Sequence, residues 1–521
     1  MPTPPPPDLW LAGLAAIIAI STFGLFFESS FAQTDITITL TDTITDDTSI
    51  YIGEPQDITS FVINNKTYVA VASSTEDGVQ IIDVSDPNNI TATSSITGDT
   101  APELDGPFKL SLFDINGKTY LAVASITDSG VQILDVSNPN SIVAADSVDA
   151  TTDSLSLNTP YGIDTFVANG KTYAAVVAST ASYLGAVQII DITDPNNITG
   201  AGSITDDQTV LLGFPISITT FVIDGKTYAI VGDSLRNAVQ IIDVTTPSNI
   251  TVAGALTNDY GTLAINEPAN ISTFVTNDKT YAAISSDVSG VQIIDVSDPN
   301  NITAADSIVD DSTLLLNSAN DISVFVIYNK TYAAVTSDSE YGVQILDLTD
   351  PNEIVAVGST DDISLTIDQA NQITSFEISN KTYVAVTGTF YNTVHILEIT
   401  APKPPTPPSN IKEMQETMVS AKITGPNEIT ITYNKEIATF INSYLNFTIS
   451  GEDKPRNITG ITGSPSIATG NTILVGNTEI KTYSTTLVFD GKPAPSGSTG
   501  SMYIQHAEHY LAKIQVEDGQ E

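Results

Sequence analysis

Short apolar runs bounded by Asn, Gly, Asp or Pro recur along most of this chain, always in the same order. Aligned on the triplet Lys-Thr-Tyr, the tyrosines fall at Tyr68, Tyr120, Tyr173, Tyr228, Tyr281, Tyr332 and Tyr383, a period of 51 to 55 residues. A phenylalanine stands seven residues before each, from Phe61 to Phe376. Each copy reads as four short strands. The first, such as "DITSFVI", passes to "KTYVAVAS" through "NN", "NG", "DG", "ND", "YN" or "SN". Asn-Gly and Asp-Gly suit a type I′ hairpin, whose two central residues both need positive φ. The third strand, "VQIIDV", is almost continuously apolar, as a strand covered on both faces must be. "SDPNN" then turns the chain, with Pro and Asn at positions that favour them, into a weaker fourth strand such as "ITATSSIT".

Four-strand units of this length, repeated in tandem, bury their faces on one another either as a closed β-propeller or as an open solenoid. The ends of the array separate the two. The seventh copy stops after its third strand, "VHILEIT", whereas "ITLTDTITDD" at residues 38–47 matches the fourth-strand stretch "ITAADSIVDD" at 302–311. An amino-terminal strand that completes the last copy closes a ring, so the reading is an all-β, seven-bladed β-propeller over residues 33–400.

Gly-Lys-Thr, at Gly117, Gly170 and Gly225, ends a phosphate-binding P-loop elsewhere, but the leading glycine that loop needs is replaced by Leu112, Thr165 and Thr220. The triplet is a hairpin exit. The blocks "GVQIIDVSDPNNI" and "GVQILDVSNPNSI" resemble the LVIVD repeat of propellers in bacterial and archaeal surface proteins, over about residues 35–400. That resemblance implies a propeller at the cell exterior and no catalytic residues.

The flanks differ in kind. Residues 9–27, "LWLAGLAAIIAISTFGLFF", carry no charge and precede "ESSFAQ", so residues 1–32 read as a signal peptide or an uncleaved membrane anchor. "APKPPTPPS" at 401–409 is a proline-rich spacer, and residues 410–521 read as a small β-sandwich resembling prokaryotic immunoglobulin-like surface modules.

Sixty-one acids face eighteen bases, a net charge of −43, which disfavours nucleic acid and anionic lipid as partners. Membrane contact would come only through the uncleaved amino terminus. With no cysteine, thiolate metal sites and disulfides are excluded. His506 and His509 in "HAEH" lack the spacing of a zinc helix, and His395 stands where other copies carry Gln. Seven sequons, at Asn65, Asn89, Asn197, Asn249, Asn301, Asn329 and Asn380, fall in the turns of one face and are glycosylation candidates. The links on the other face are long and varied, and each opens on acid: Asp47, Asp99, Asp149, Asp207, Asp259, Asp311 and Asp362. Such a ring suits a hard cation such as Ca²⁺, against the competing reading of solvated acids. No other cofactor is implied. The expectation is an exported, extracellular or cell-surface binding or adhesion module, non-catalytic, whose partner is a surface protein, a glycan or a cationic solute. The competitors are a structural surface-coat protein and a metal-dependent propeller hydrolase or lactonase.

Overall fold

The computed structural model describes residues 36–403, except 180–183, 208, 259–260, 289 and 361–366, together with strand segments between 418 and 518. The chain divides into two units, Met1–Pro402 and Lys403–Glu521.

In the first unit, seven antiparallel sheets of four strands stand in sequence. Blade 1 consists of Pro55–Ile63, Lys66–Ser73, Gly78–Asp83 and Thr91–Thr97, paired in that order. Blades 2 to 7 repeat it, with first strands at Pro107–Ile115, Pro160–Ala168, Pro215–Ile223, Pro268–Thr276, Ala319–Ile327 and Ala370–Ile378. These first strands touch one another in a complete cycle, blade 7 against blade 1, and so surround the axis. The outer position of blade 7 is taken by Thr37–Thr45, antiparallel to Thr393–Thr400 with Thr43 opposite His395. No helix among the described residues is long and apolar enough to cross a membrane.

The local geometry follows the residue types. All seven first hairpins place both turn residues at positive φ, from Asn116 (53°) and Gly117 (76°) to the less accommodating Tyr328 (51°) and Asn329 (64°). Across each hairpin the Phe and Tyr stack, as Phe113 does on Tyr120 with ring centroids 5.4 Å apart. The apolar third strand feeds two cores: Val79 and Ile81 pack between blades 1 and 2, Ile82 and Val84 between blades 7 and 1. Seven such clusters fill the seven blade interfaces, so the stabilising burial lies between copies and an isolated blade would lose most of it.

Two polar devices recur within this apolar frame. In blade 1, Gln80 accepts the Tyr51 N–H of the incoming link at 3.1 Å and donates to the Ile81 and Ser94 carbonyls. Gln132, Gln188, Gln240, Gln292 and Gln344 repeat the arrangement. The fourth-strand acid staples the next blade: Asp306 accepts the Ile354 N–H and Asp42 the Ile90 N–H, both at 2.9 Å. Asp42, on the amino-terminal strand, therefore does for blade 1 what Asp306 does for blade 6.

In the second unit eight strands hydrogen-bond into one sheet, in which Met418–Gly425 runs parallel to His509–Asp518. Other pairings there are antiparallel. The proline-rich spacer beyond 403 and residues 1–35 lie outside the described residues.

Candidate functional site

Because each blade runs up and down, the hairpin and the third turn share one face, and the links between blades arrive on the other. The hairpin face carries the seven Lys of Lys-Thr-Tyr, each paired with the acid that ends the third strand, from Lys66–Asp83 at 2.8 Å to Lys381–Glu398 at 2.9 Å. Most of these lysines are well exposed, so solvent screening leaves each bridge little weight in stability. The sequon residues Asn65, Asn89, Asn197, Asn249, Asn301, Asn329 and Asn380 are all exposed on this face. A shallow hollow of about 360 Å³ lies there too, between blades 6 and 7, lined by Tyr328, Lys381 and Thr400 among others. It brings together no chemistry beyond the Lys381–Glu398 pair.

On the link face the acids have local work. Asp47 accepts the Ser49 N–H and hydroxyl, each at 2.7 Å, and Asp207 and Asp311 do the same for Thr209 and Thr313. Asp149 accepts from Thr151 and Thr152, whose hydroxyls hold its carboxyl far below the usual carboxylate range. The preceding acids reach further: Asp46, Asp206 and Asp310 accept the N–H of Ile52, Leu212 and Leu316, six residues on, at 3.0 to 3.3 Å. Those aliphatic residues are fully buried plugs of the links. Asp99 is exposed, and Asp259 and Asp362 lie outside the described residues. Among the described residues no three His, Asp or Glu side chains gather as they would around a metal ion. Glu103 is pushed up to about 7 by burial and by the nearby Asp128, Asp149 and Asp153.

The link face also holds the mouth of the axis, where the first strands begin. Every first strand is irregular there: the register slips between Pro55 and Asp57 in blade 1 and at the same place in the other six. A bulge turns consecutive side chains toward one side. The residues so placed differ from copy to copy. At the third position of the strand stand Asp57, Lys109, Gly162, Ser217, Asn270, Asp321 and Gln372, whereas the next position is always aliphatic, from Ile58 and Leu110 to Ile373. The framework repeats and the lining does not.

These side chains form an asymmetric belt. Lys109 donates to Asp57 at 3.4 Å and, past blade 1, to Gln372 of blade 7. Asp57 also accepts the Leu110 N–H at 2.7 Å; burial pushes its carboxyl up to about 6, against the opposing pull of Lys109. Asp321 accepts from Asn270, from its neighbour Ile322 N–H at 2.7 Å and from Ile373 N–H of blade 7 at 2.8 Å. Asn320 donates to Asn371, which donates to the Pro55 carbonyl of blade 1 at 3.0 Å. Across the axis the belt turns aromatic: Phe108 meets Tyr161 at 5.7 Å and Tyr161 meets Phe214 at 5.0 Å, spanning blades 2 to 4. The sequence reading singled out none of these residues. The signal was available as a position that fails to repeat inside a repeat.

His395, the Gln replacement, bonds Thr43 on the amino-terminal strand at 2.9 Å and Thr393 at 3.0 Å, with Asp368 beside it at 3.5 Å. It is a packing residue of blade 7. His506 sits opposite His509 in a strand pair of the second unit, and Glu508 lies outside the described residues.

No family model matches the chain, and no curated protein does. Its likeness is to solved structures. A functionally unknown protein from Desulfotomaculum acetoxidans shares 14% identity at a TM-score of 0.40, over 62% of this chain and 95% of its own. A protein from Lactobacillus plantarum shares 13% at 0.45, over 61% and 86%. The GH43_1 enzyme from Xanthomonas citri shares 9% at 0.33, over 56% and 86%. The seven sheets themselves establish the propeller.

Proposed function

We propose that this chain is an exported binding module of the cell exterior, a ring fastened by its amino-terminal strand, that recognises its partner on the link face and at the axial mouth. One observation carries this reading: seven copies hold their framework residues constant while the lining position of the first strand takes a different residue in six chemistries, from Asp57 and Lys109 to Gly162 and Gln372. A position needed only for packing would repeat as its aliphatic neighbour does; divergence on a rigid support is what recognition requires. The LVIVD-like repeats, the apolar run at 9–27 and the immunoglobulin-like reading of the second unit agree with a surface location. The seven exposed sequons would then dress the hairpin face and leave the link face open.

The hydrolase reading draws on Asp57 and Asp321 at the axis. Each carboxylate gives one oxygen to a backbone N–H of the adjacent blade and the other to a side chain, Lys109 for Asp57 and Asn270 for Asp321, which is a stapling role. Binding of envelope protein and envelope polysaccharide fractions to the immobilised full chain tests the proposal. Retention of either fraction that is weakened by Asn371→Leu and unaffected by Lys118→Met supports it. No retention, or retention sensitive only to Lys118→Met, overturns it, as does turnover of a lactone or aryl glycoside that Asp57→Asn abolishes.

A further inference from the structure

The axial mouth is divided into two halves of opposite chemistry, both carried where the first strands begin. Blades 2 to 4 contribute the half-buried arc Phe108, Tyr161 and Phe214, the first pair edge to face and the second tilted at 57°. Blades 6 and 7 contribute amides, Asn320, Asn371 and Gln372, each fixed by bonds to a neighbour. A primary amide nitrogen carries two protons and its carbonyl two lone pairs. Among the described bonds each of these three side-chain nitrogens donates once, and the side-chain carbonyl of Asn320 accepts nothing. The arc is therefore oriented in advance with donors and acceptors to spare, so a ligand pays little to order it.

We infer that the mouth binds a neutral saccharide, one ring lying with its C–H face on the Phe108–Tyr161–Phe214 arc and its hydroxyl edge against Asn320 and Asn371. This deepens the binding reading and rests on it. A pyranose presents an apolar C–H face beside hydroxyls that both donate and accept, which is the pairing the two halves offer. Charge narrows the class. Asp57 and Asp321 stand at the mouth of a chain with net charge −43, which repels uronates, sulfates and phosphates. Lys109, held between Asp57 and Gln372, occupies the place a cationic group would seek.

The experiment is saturation-transfer NMR on the full chain with neutral hexasaccharides of glucose, mannose, galactose, xylose and N-acetylglucosamine, and with oligogalacturonate as the anionic control. Transfer to the ring C–H protons of at least one neutral sugar is expected. Affinity should fall about tenfold or more in Tyr161→Leu and in Asn371→Leu at an unchanged melting midpoint, and stay the same in Lys118→Met. Phe108→Leu replaces Tyr161→Leu if the latter fails to fold. Transfer to none of the neutral sugars, stronger transfer to oligogalacturonate, or folded aromatic variants with undiminished binding would overturn the inference. If the sugars fail while an envelope protein is retained on the link face, the saccharide falls and the binding module stands; if nothing is retained, both fall.

Discussion

Lys109 of blade 2 donates its ammonium to the Oε1 of Gln372 in blade 7, a residue 263 positions away, and on the way pairs with Asp57 of blade 1. Three blades are thereby tied by one side chain at the place where the ring begins and ends. Its neighbours are buried, so this pair behaves unlike the seven exposed bridges of the hairpin face.

Removing that cation leaves Asp57 buried without its partner. Lys109→Met should destabilise the protein by roughly 3 kcal/mol at pH 7.5, and by clearly less at about pH 5, where Asp57 takes up a proton instead. Lys66→Met, at an exposed and screened bridge, should leave the urea midpoint essentially unchanged at either pH. Urea titrations of the two variants at both pH values measure the difference.

The carboxyl of Asp57, pushed up to about 6, sets the sign of a pH effect. A folded state that holds the proton more tightly than the unfolded chain gains stability as pH falls from the folded value toward the ordinary value of 3.8. Stability should therefore rise on acidification from pH 7 to about 4.5, by about 2 kcal/mol from this group. Glu103, pushed up to about 7, adds to the rise over a slightly higher window. Asp57→Asn should remove the Asp57 share and leave a shallower slope; a profile identical to wild type would show that Asp57 is not desolvated.

The acids of the links differ in their work. Asp46→Ala strips the Ile52 N–H of its acceptor and should cost about 1 to 2 kcal/mol. Asp99→Ala, at an exposed site, should change stability by less than about 0.5 kcal/mol. If the ring serves the backbone rather than a cation, the melting midpoint is the same in Ca²⁺ as in chelator. A midpoint that rises with Ca²⁺ and loses the rise in Asp207→Ala would assign the acids to a metal.

The pairing of the amino-terminal strand with blade 7 can be trapped in a chain that has no cysteine of its own. Thr43 and His395 are register partners whose side chains meet at 2.9 Å. The double variant T43C/H395C should oxidise to an intramolecular disulfide, slow to unfold and stabilised by up to roughly 5 kcal/mol on chain-entropy grounds. Reduced thiols that persist under mild oxidant would place the strand elsewhere.

Much of this molecule is written in its local sequence. Type I′ hairpins are legible because only a few residues tolerate positive φ twice in succession, and Asn116-Gly117 or Asp224-Gly225 announce them without reference to anything distant. The apolar third strand announces a partner on both faces, and the period counts the blades. The acidic links were legible as acidic but not as caps, because a carboxylate that accepts an N–H six residues on, as Asp46 does from Ile52, depends on a loop path that residue types do not reveal. The axial belt depended wholly on closure. Asp57, Lys109 and Gln372 are scattered over more than 300 residues, and only the packing of the seven first strands about one axis makes them neighbours. Sequence alone fixes what repeats, since hairpin and strand preferences are set within a few residues; the tertiary ring decides what the non-repeating positions face, since their partners are supplied by other blades.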